Sequence, residues 1–259
     1  MDVWDLDIES GILSRLTSDP NTDSSAAWSP DEQQLAFTSN RTGPSSIFIK
    51  GLATSDEVLL HEATEGMVVD GWTPDGKAVL ARTLGRAVFV IPVEGDRRPR
   101  MIADTPYVED ELHVSPDGQW VTFNSDESGA WEVYVARFPG FTFKRQLSRG
   151  GGVQPLWRGD GRELFYLGMD SWLMSIPLSG GPTLGPGSAV RLFETNVEAN
   201  ANHPQYAVSP DGQRFLLLDP RAPSPQQDPP LAELAFASRV ARPAPAHSLR
   251  RRMGRGAVC

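Results

Sequence analysis

The chain has 259 residues, of which 39% are hydrophobic, and it carries a formal net charge of −9. This acidic balance argues against nucleic-acid binding, because contacts to phosphates need a clustered basic surface. The single cysteine, Cys259, excludes internal disulfides, and no apolar run reaches the ~18 residues that a membrane span needs.

The chain opens on alternating acidic and apolar residues, in 1–9, with no basic segment followed by an apolar core. This pattern is not that of a signal peptide and is typical of the middle of a domain. Residues 3–8 and 13–16 read as two short strands, which correspond to the last two strands of a repeating unit.

A short phrase then recurs along the chain, typified by Val114-Ser-Pro-Asp-Gly118. Its aspartates are spaced by 42 to 51 residues and lie at Asp31, Asp75, Asp117, Asp160 and Asp211. A period of roughly 40–45 residues with strand-like flanks is the signature of a β-propeller blade. Pro presets the turn, Asp can accept a local backbone N–H, and Gly tolerates positive φ, so the aspartates are predicted to be turn formers.

One repeat, in residues 112–147, shows the order of strands most clearly. A strand ends at the Pro-Asp-Gly turn, 119–123 returns, 124–129 is a polar turn, 131–135 is a third strand and 145–147 a short fourth one. We therefore predict an all-β fold, a β-propeller of four-stranded antiparallel blades.

The last repeat, in residues 206–218, supplies only the first two strands of a blade. With the two strands at the N-terminus it could complete one composite blade, which would give about five blades in a closed ring within residues 1–218. The alternative is that the chain is part of a propeller of six or more blades and does not close alone.

The C-terminal residues differ in composition from the repeats. Residues 219–233 form a Pro-rich, linker-like stretch, and 234–259 contain six arginines and no acidic residue. Such a basic segment is predicted to be disordered. Its composition favours a frameshift or an artificial junction in a GC-rich gene over an anchor for anionic surfaces.

The repeat phrase, followed by a turn such as Ser39-Asn-Arg-Thr-Gly43, resembles the TolB-like propeller repeat, which is itself similar to WD-type repeats. The stretches 123–135, 150–157 and 160–167 resemble one subgroup most, the sensor propeller that follows the membrane segment in bacterial eukaryotic-like Ser/Thr protein kinases. The resemblance covers roughly residues 2–218, although Glu32 replaces the usual Gly and Arg158-Gly159 replace Ser-Pro. It implies a periplasmic or otherwise extracytoplasmic binding or sensor domain, while the residues alone leave a cytoplasmic location open.

Catalytic motifs are missing from the sequence. The chain has no kinase Gly-rich loop, H-R-D or D-F-G, no G-x-S-x-G nucleophile elbow and no H-E-x-x-H, and its four histidines lack metal-ligand spacing. We therefore predict no catalytic residue, no metal site and no cofactor. The expected function is a monomeric, non-enzymatic module that binds a protein, peptide or envelope ligand. The alternative is the detached propeller of a membrane Ser/Thr kinase or of a prolyl-oligopeptidase-type peptidase.

Binding residues on a rigid scaffold usually lie in loops or near the channel mouth. Glu109, Asp110 and Glu111 precede a strand that enters the propeller, and a polar loop precedes the last repeat. The candidate ligand-face residues are therefore Glu109, Asp110, Glu111, His113, Asn202 and His203, although a surface or packing role is the simpler interpretation of each.

Overall fold

The computed structural model describes residues 1–7, 12–54, 56–84, 86–179, 183–200 and 204–218, together with the strand at 234–238. Every regular element in these residues is a β-strand. No helix in this part of the chain is long and apolar enough to cross a membrane.

The strands form six antiparallel sheets that follow one another along the chain. The N-terminal sheet pairs β1 (Trp4–Asp7) with β2 (Ile12–Arg15). Blade 1 contains β3 (Asp23–Trp28), β4 (Gln34–Ser39), β5 (Ser46–Gly51) and β6 (Glu57–His61). Blade 2 contains β7 (Met67–Trp72), β8 (Ala78–Thr83), β9 (Val88–Pro92) and β10 (Arg100–Ala103).

The remaining sheets repeat this order with small additions. Blade 3 contains β11 (Glu109–Val114), β12 (Trp120–Ser125), β13 (Glu132–Arg137) and β14 (Thr142–Gln146). Blade 4 contains β15 (Val153–Trp157), β16 (Glu163–Leu167), β17 (Trp172–Ser179), β18 (Gly185–Pro186) and β19 (Val190–Glu194), and both β18 and β19 pair with β17. The C-terminal sheet contains β20 (Tyr206–Val208), β21 (Arg214–Leu218) and β22 (Leu234–Ser238).

Blade 3 shows most clearly that inner strands are buried and the outer strand is exposed. All residues of β12 are buried and all residues of β14 are exposed. The first strand of each blade also contacts the first strand of the next. First strands that lie side by side in this way surround the central channel of a propeller. The all-β propeller predicted from the repeat is confirmed.

Alternate residues of the second strands pack against opposite neighbours. In β8, Val79 contributes to the apolar cluster shared with blade 1, and Leu80 to the cluster shared with blade 3. In β16, Leu164 packs with blade 3 and Phe165 with the C-terminal sheet. Because side chains alternate along a strand, one strand supplies two interfaces. Val3 of the N-terminal segment packs in an apolar cluster with residues of blade 1. The apolar clusters therefore connect each sheet to the next one along the chain.

The recurring tryptophans link neighbouring blades. The indole N–H of Trp72 in blade 2 donates to the carbonyl of Ala27 in blade 1 at 2.9 Å. The indole N–H of Trp157 in blade 4 donates to the carbonyl of His113 in blade 3 at 3.0 Å. The sequence repeat therefore specifies an inter-blade contact as well as the fold of each blade.

The Pro-Asp-Gly turns share one network of hydrogen bonds. In the third of them the hydroxyl of Ser115 donates to Asp117 Oδ1 at 2.5 Å, Gln119 N donates to the same oxygen at 3.1 Å, and Trp120 N donates to Ser115 Oγ at 2.9 Å. A Ser or Thr hydroxyl donates to the equivalent Asp31, Asp75 and Asp211, and these hydrogen bonds lower the pKa of all three carboxyls. At Asp160 the bond comes from the backbone of Arg162, at 3.0 Å.

One turn of this set contains a non-glycine residue in a left-handed conformation. Glu32 has φ 58°, where Gly118 has φ 70° in the equivalent turn. Because a Cβ disfavours this conformation, and Glu32 is exposed, we expect Glu32→Gly to raise the free energy of unfolding by about 0.5–1 kcal/mol. Urea denaturation would measure the change.

Gly118→Ala is the matched control for this substitution. No atom lies within 4 Å of the position that its Cβ would occupy, so the replacement tests backbone conformation without a steric clash. We expect a loss of about 1 kcal/mol. Equal effects of the two substitutions, or a stabilising Gly118→Ala, would contradict this account.

The predicted composite blade is not formed by the described residues. β1 pairs with β2, whereas β21 pairs with β20 on one side and with β22 on the other. The strand from the predicted basic tail, Leu234–Ser238, therefore occupies the edge that was expected to receive the N-terminal strands. Its sequence, Leu-Ala-Phe-Ala-Ser, carries no charge. The linker 219–233 and residues 239–259 lie outside the described residues.

Candidate functional site

The propeller has two distinguishable ends. The Pro-Asp-Gly turns lie at one end, which we call the turn face. The loops between the second and third strands, and the connections from one blade to the next, lie at the other end, which we call the loop face. The first strand of each blade is its innermost strand, and it starts at the loop face. Residues near the beginning of these strands therefore line the mouth of the channel at that face.

Three innermost strands carry a β-bulge at the same position of the repeat. Ser25 in β3, Glu111 in β11 and Gln154 in β15 have φ values of 48°, 55° and 58°, each next to a shift in strand register. In β7 the register shift falls at Asp70. Bulges change the direction of side chains and are frequent beside functional sites.

A buried ionic network joins blades 2 and 3 at this level of the channel. Arg82 Nε lies 3.2 Å from Asp70 Oδ1, and Arg82 Nη2 contacts Asp110 Oδ1. The three side chains are 13%, 3% and 9% exposed, respectively. Burial raises the pKa of Asp70 to about 7, with the charge of Asp110 acting in the same direction and Arg82 opposing it.

Glu111 extends this network without belonging to the ion pairs. Its side chain is 10% exposed, and its Oε2 lies 4.0 Å from His113 Nε2. Burial, together with the charges of Asp70 and Asp110, raises the pKa of Glu111 to about 8. Burial lowers the pKa of His113 to about 4, so the imidazole is uncharged at neutral pH and gives Glu111 no ionic partner.

A second network, of uncharged groups, joins blade 4 to the C-terminal sheet. Gln205 N donates to Gln154 Oε1 at 2.8 Å, and Gln154 Nε2 donates to Gln205 Oε1 at 3.1 Å and to the carbonyl of Asn200 at 2.7 Å. The hydroxyl of Tyr206 donates to the Gln154 carbonyl at 2.8 Å. These bonds hold the bulged residue of β15 in a fixed position.

The residues predicted for the ligand face have different environments. Asp110, Glu111 and His113 belong to the channel cluster. The side chain of Glu109 is fully buried elsewhere, where the hydroxyl of Thr105 contacts both carboxylate oxygens, at 2.7 and 2.8 Å, and Lys144 lies 3.8 Å away. Asn202 and His203 lie outside the described residues.

Sequence reasoning missed Asp70, Arg82, Gln154 and Gln205. A detectable signal existed for two of them, because β7 (Met-Val-Val-Asp-Gly-Trp) and β8 (Ala-Val-Leu-Ala-Arg-Thr) each contain one charged residue in an apolar run. A charge in a buried strand requires a partner. Among the described residues, no cluster of three His, Cys, Asp or Glu side chains has the arrangement of a metal site.

The loop face also exposes apolar side chains. Leu84 in the β8–β9 loop is 74% exposed, Tyr107 in the β10–β11 connection is 41% exposed, and Met169 in the β16–β17 turn is 47% exposed. The turn face has a groove of about 370 Å³ between the second and third Pro-Asp-Gly turns, lined by Asp75 and Asp117. The loop face thus exposes apolar side chains at the end of the propeller where the innermost strands carry the buried carboxyl cluster.

Relatives by sequence match part of the chain. Tricorn protease homolog 1 of Streptomyces coelicolor is 36% identical over 118 residues, which are 42% of this chain and 11% of that protein. The Tol-Pal system protein TolB of Bordetella pertussis is 29% identical over 119 residues, which are 45% of this chain and 27% of that protein. The chain therefore matches less than a third of the length of either relative. No family model matches the sequence.

Solved structures match most of the chain. TolB from Acinetobacter baumannii has a TM-score of 0.65 at 18% identity, covering 88% of this chain and 54% of that one. The putative TolB from Agrobacterium tumefaciens has a TM-score of 0.63 at 17% identity, covering 88% and 80% of the two chains. The fold is that of a TolB-like β-propeller.

Proposed function

We propose that this TolB-like propeller is a monomeric, non-catalytic binding module that holds a protein or peptide partner on its loop face. The scaffold of residues 1–218 presents the loops rigidly, and the partner contacts both the loops and the channel mouth. We place the module in an extracytoplasmic compartment, as in the sequence-based hypothesis, because its relatives include Tol-Pal system proteins.

The exposed apolar side chains of the loop face carry this proposal. Leu84, Tyr107 and Met169 come from three separate connections, in blade 2, between blades 2 and 3, and in blade 4. Binding residues on a rigid scaffold lie disproportionately on loops, where apolar side chains can serve as anchors for a partner. Hydrogen bonds within the Pro-Asp-Gly turns, by contrast, already use the polar groups of the turn face.

A phage-displayed random peptide library, selected on the purified chain, tests the proposal. Peptides recovered on the native chain should lose at least about tenfold in affinity for a triple variant of the loop face, because buried apolar anchors dominate such interfaces. The triple variant is Leu84→Glu, Tyr107→Glu and Met169→Glu, and titration calorimetry with the synthetic peptides would measure the affinity.

A triple variant of the turn face provides the matched control. Gln33→Glu, Gln119→Glu and Gln213→Glu add the same three negative charges at exposed positions beside Pro-Asp-Gly turns and should leave affinity within about twofold. Peptides that lose affinity only for this control would overturn the choice of face. A library that yields no peptide above the blank surface would overturn the binding-module proposal itself.

A second candidate function is the propeller of a larger peptidase. The 36% identity to the tricorn protease homolog, over 11% of that protein, favours this alternative. The resemblance of the repeats to kinase sensor propellers remains a further hypothesis of the same kind. An in-frame hydrolase or kinase domain in the same coding region would favour an enzyme subdomain over a free-standing module.

A further inference from the structure

Glu111 is a buried acid whose carboxyl group has no hydrogen-bonded partner among the described residues. Its carboxyl group accepts no hydrogen bond from any residue that the structure describes, although only 10% of the side chain is exposed. Buried carboxyl groups are ordinarily hydrogen-bonded or paired with a cation, because their desolvation otherwise costs free energy. The exposed fraction is small, so the carboxyl group is a recessed acceptor and not a surface charge.

The surroundings of Glu111 place it near the axis of the propeller. Its carboxyl interacts electrostatically with Asp70 of blade 2 and with Tyr206 of the C-terminal sheet. Glu111 belongs to blade 3. Blade 2 comes before it in the chain and the C-terminal sheet comes after blade 4, so these two sheets are not neighbours in the order of sheets. Side chains from non-adjacent sheets can converge in this way only where the sheets meet, at the central channel.

The charges around Glu111 are unbalanced. Asp70, Asp110 and Glu111 supply three carboxyl groups, whereas Arg82 supplies one guanidinium. The second carboxylate oxygen of Asp70, Oδ2, is also buried and has no hydrogen-bond partner among the residues that the structure describes. A single added cation would balance the cluster with one of the three carboxyl groups protonated, as the raised pKa of Asp70, about 7, allows.

We propose that the carboxyl-lined channel mouth receives an ammonium or guanidinium side chain of a bound polypeptide, with Glu111 as its direct acceptor. Lysine and arginine carry three and five N–H donors on long, flexible stems, which suits a recessed acceptor. The described residues offer no group of three His, Cys, Asp or Glu side chains arranged to hold a metal ion. This inference deepens the proposed function, since it specifies what the partner on the loop face contributes.

The proposal includes a dependence on pH. Because burial and the neighbouring carboxyl groups raise the pKa of Glu111 to about 8, the cation must displace a proton at neutral pH, and affinity should rise about tenfold from pH 7 to pH 9. The charged and titratable groups that face Glu111 are Asp70 from β7, Arg82 from β8, Asp110 and His113 from β11, and Tyr206 from β20.

Butylguanidinium chloride and butylammonium chloride are the probes for this site, and neutral butylurea is the matched control compound. The carboxyl carbons of ¹³C-labelled glutamate, observed by NMR in the full chain, report ionisation of Glu111. We expect a saturable shift of the Glu111 signal with either cation, beyond the effect of equal NaCl, and none with butylurea. Glu111→Gln should weaken probe binding at least about tenfold, whereas the exposed Glu94→Gln should leave it unchanged.

Two results would overturn the inference. The first is that the cations shift the NMR signal of Glu111 no more than NaCl does. The second is that Glu111→Gln binds the probe as tightly as the native chain does. Asp70→Asn, expected to weaken the probe less than Glu111→Gln, provides a second variant if Glu111→Gln fails to fold.

The same variants separate this inference from the proposed function. Library peptides that lose affinity for the loop-face triple variant, but bind Glu111→Gln and the native chain equally, would leave the binding module intact and eliminate the channel cation. Peptides that lose affinity for both variants should contain a lysine or an arginine. Replacing that residue of the peptide by norleucine or citrulline should cause no further loss of affinity for the Glu111→Gln variant.

Discussion

Replacing Arg82 by methionine is expected to destabilise the chain by about 3–5 kcal/mol at pH 8. Arg82 contacts both Asp70 and Asp110, and all three side chains are at least 87% buried. Methionine fills similar space but leaves two buried carboxyl groups without their cation, which is the most destabilising way to break a buried ion pair. Guanidinium chloride denaturation would measure the loss.

The effect of Arg82→Met should depend on pH in a defined direction. Since the pKa of Asp70 is raised from 3.8 to about 7, the native state binds more protons than the unfolded state over this range, and stability contributed by Asp70 falls as pH rises. Removing Arg82 raises this pKa further. The destabilisation should therefore be smaller at pH 5, where Asp70 is protonated in the native state, than at pH 8.

Arg145→Met is the matched control for this prediction. Arg145 lies in the fully exposed β14 of blade 3, so the same substitution should change stability by less than about 0.5 kcal/mol at either pH. Equal losses for the two variants, or a loss at Arg82 that does not change with pH, would contradict a buried ionic network at this position.

Phe165→Ala is expected to cost about 3–5 kcal/mol and to loosen the C-terminal sheet from blade 4. Phe165 is fully buried, and its ring lies edge-on to that of Phe215, with 5.0 Å between ring centroids. Truncation removes apolar contacts and leaves a cavity between the two sheets, the usual origin of losses of this size. Denaturation and amide hydrogen exchange of β20 and β21 would measure the two effects.

Phe143→Ala removes the same side chain from a position that is 81% exposed. We expect a change below about 0.5 kcal/mol and no change in exchange at β20 and β21. If Phe165→Ala lowered stability without increasing exchange in the C-terminal sheet, the interface formed by Phe165 and Phe215 would not be what holds that sheet in place.

Much of the fold could be predicted from the sequence because its repeat encodes local structure. The Ser-Pro-Asp-Gly phrase specifies a turn through contacts between residues close in sequence, such as Ser115 with Asp117, and strand alternation follows from the same short range. The edge of the last repeat was not predictable in this way. The pairing of β21 with β22 joins segments separated by a linker, and no local pattern distinguishes it from pairing with the N-terminal strands.

The candidate site was only partly predictable for a related reason. Glu109, Asp110 and Glu111 are consecutive in sequence, but the bulge at Glu111 directs them into different environments. Glu109 is bound by Thr105, Asp110 by Arg82, and Glu111 by neither. Which of these acids is left without a partner depends on contacts with residues from other blades, and a local sequence pattern does not contain those contacts.

The tryptophan contacts between blades also bear on how such a chain can evolve. Trp72 and Trp157 each reach the backbone carbonyl of the residue just before the equivalent aromatic or valine position in the preceding blade. A unit with tryptophan at this position therefore supplies the donor, and the preceding unit offers a backbone acceptor that does not depend on side-chain identity. Duplication of a unit that carries the tryptophan would copy donor and acceptor together, so blade number can increase by recombination without this contact having to be selected anew.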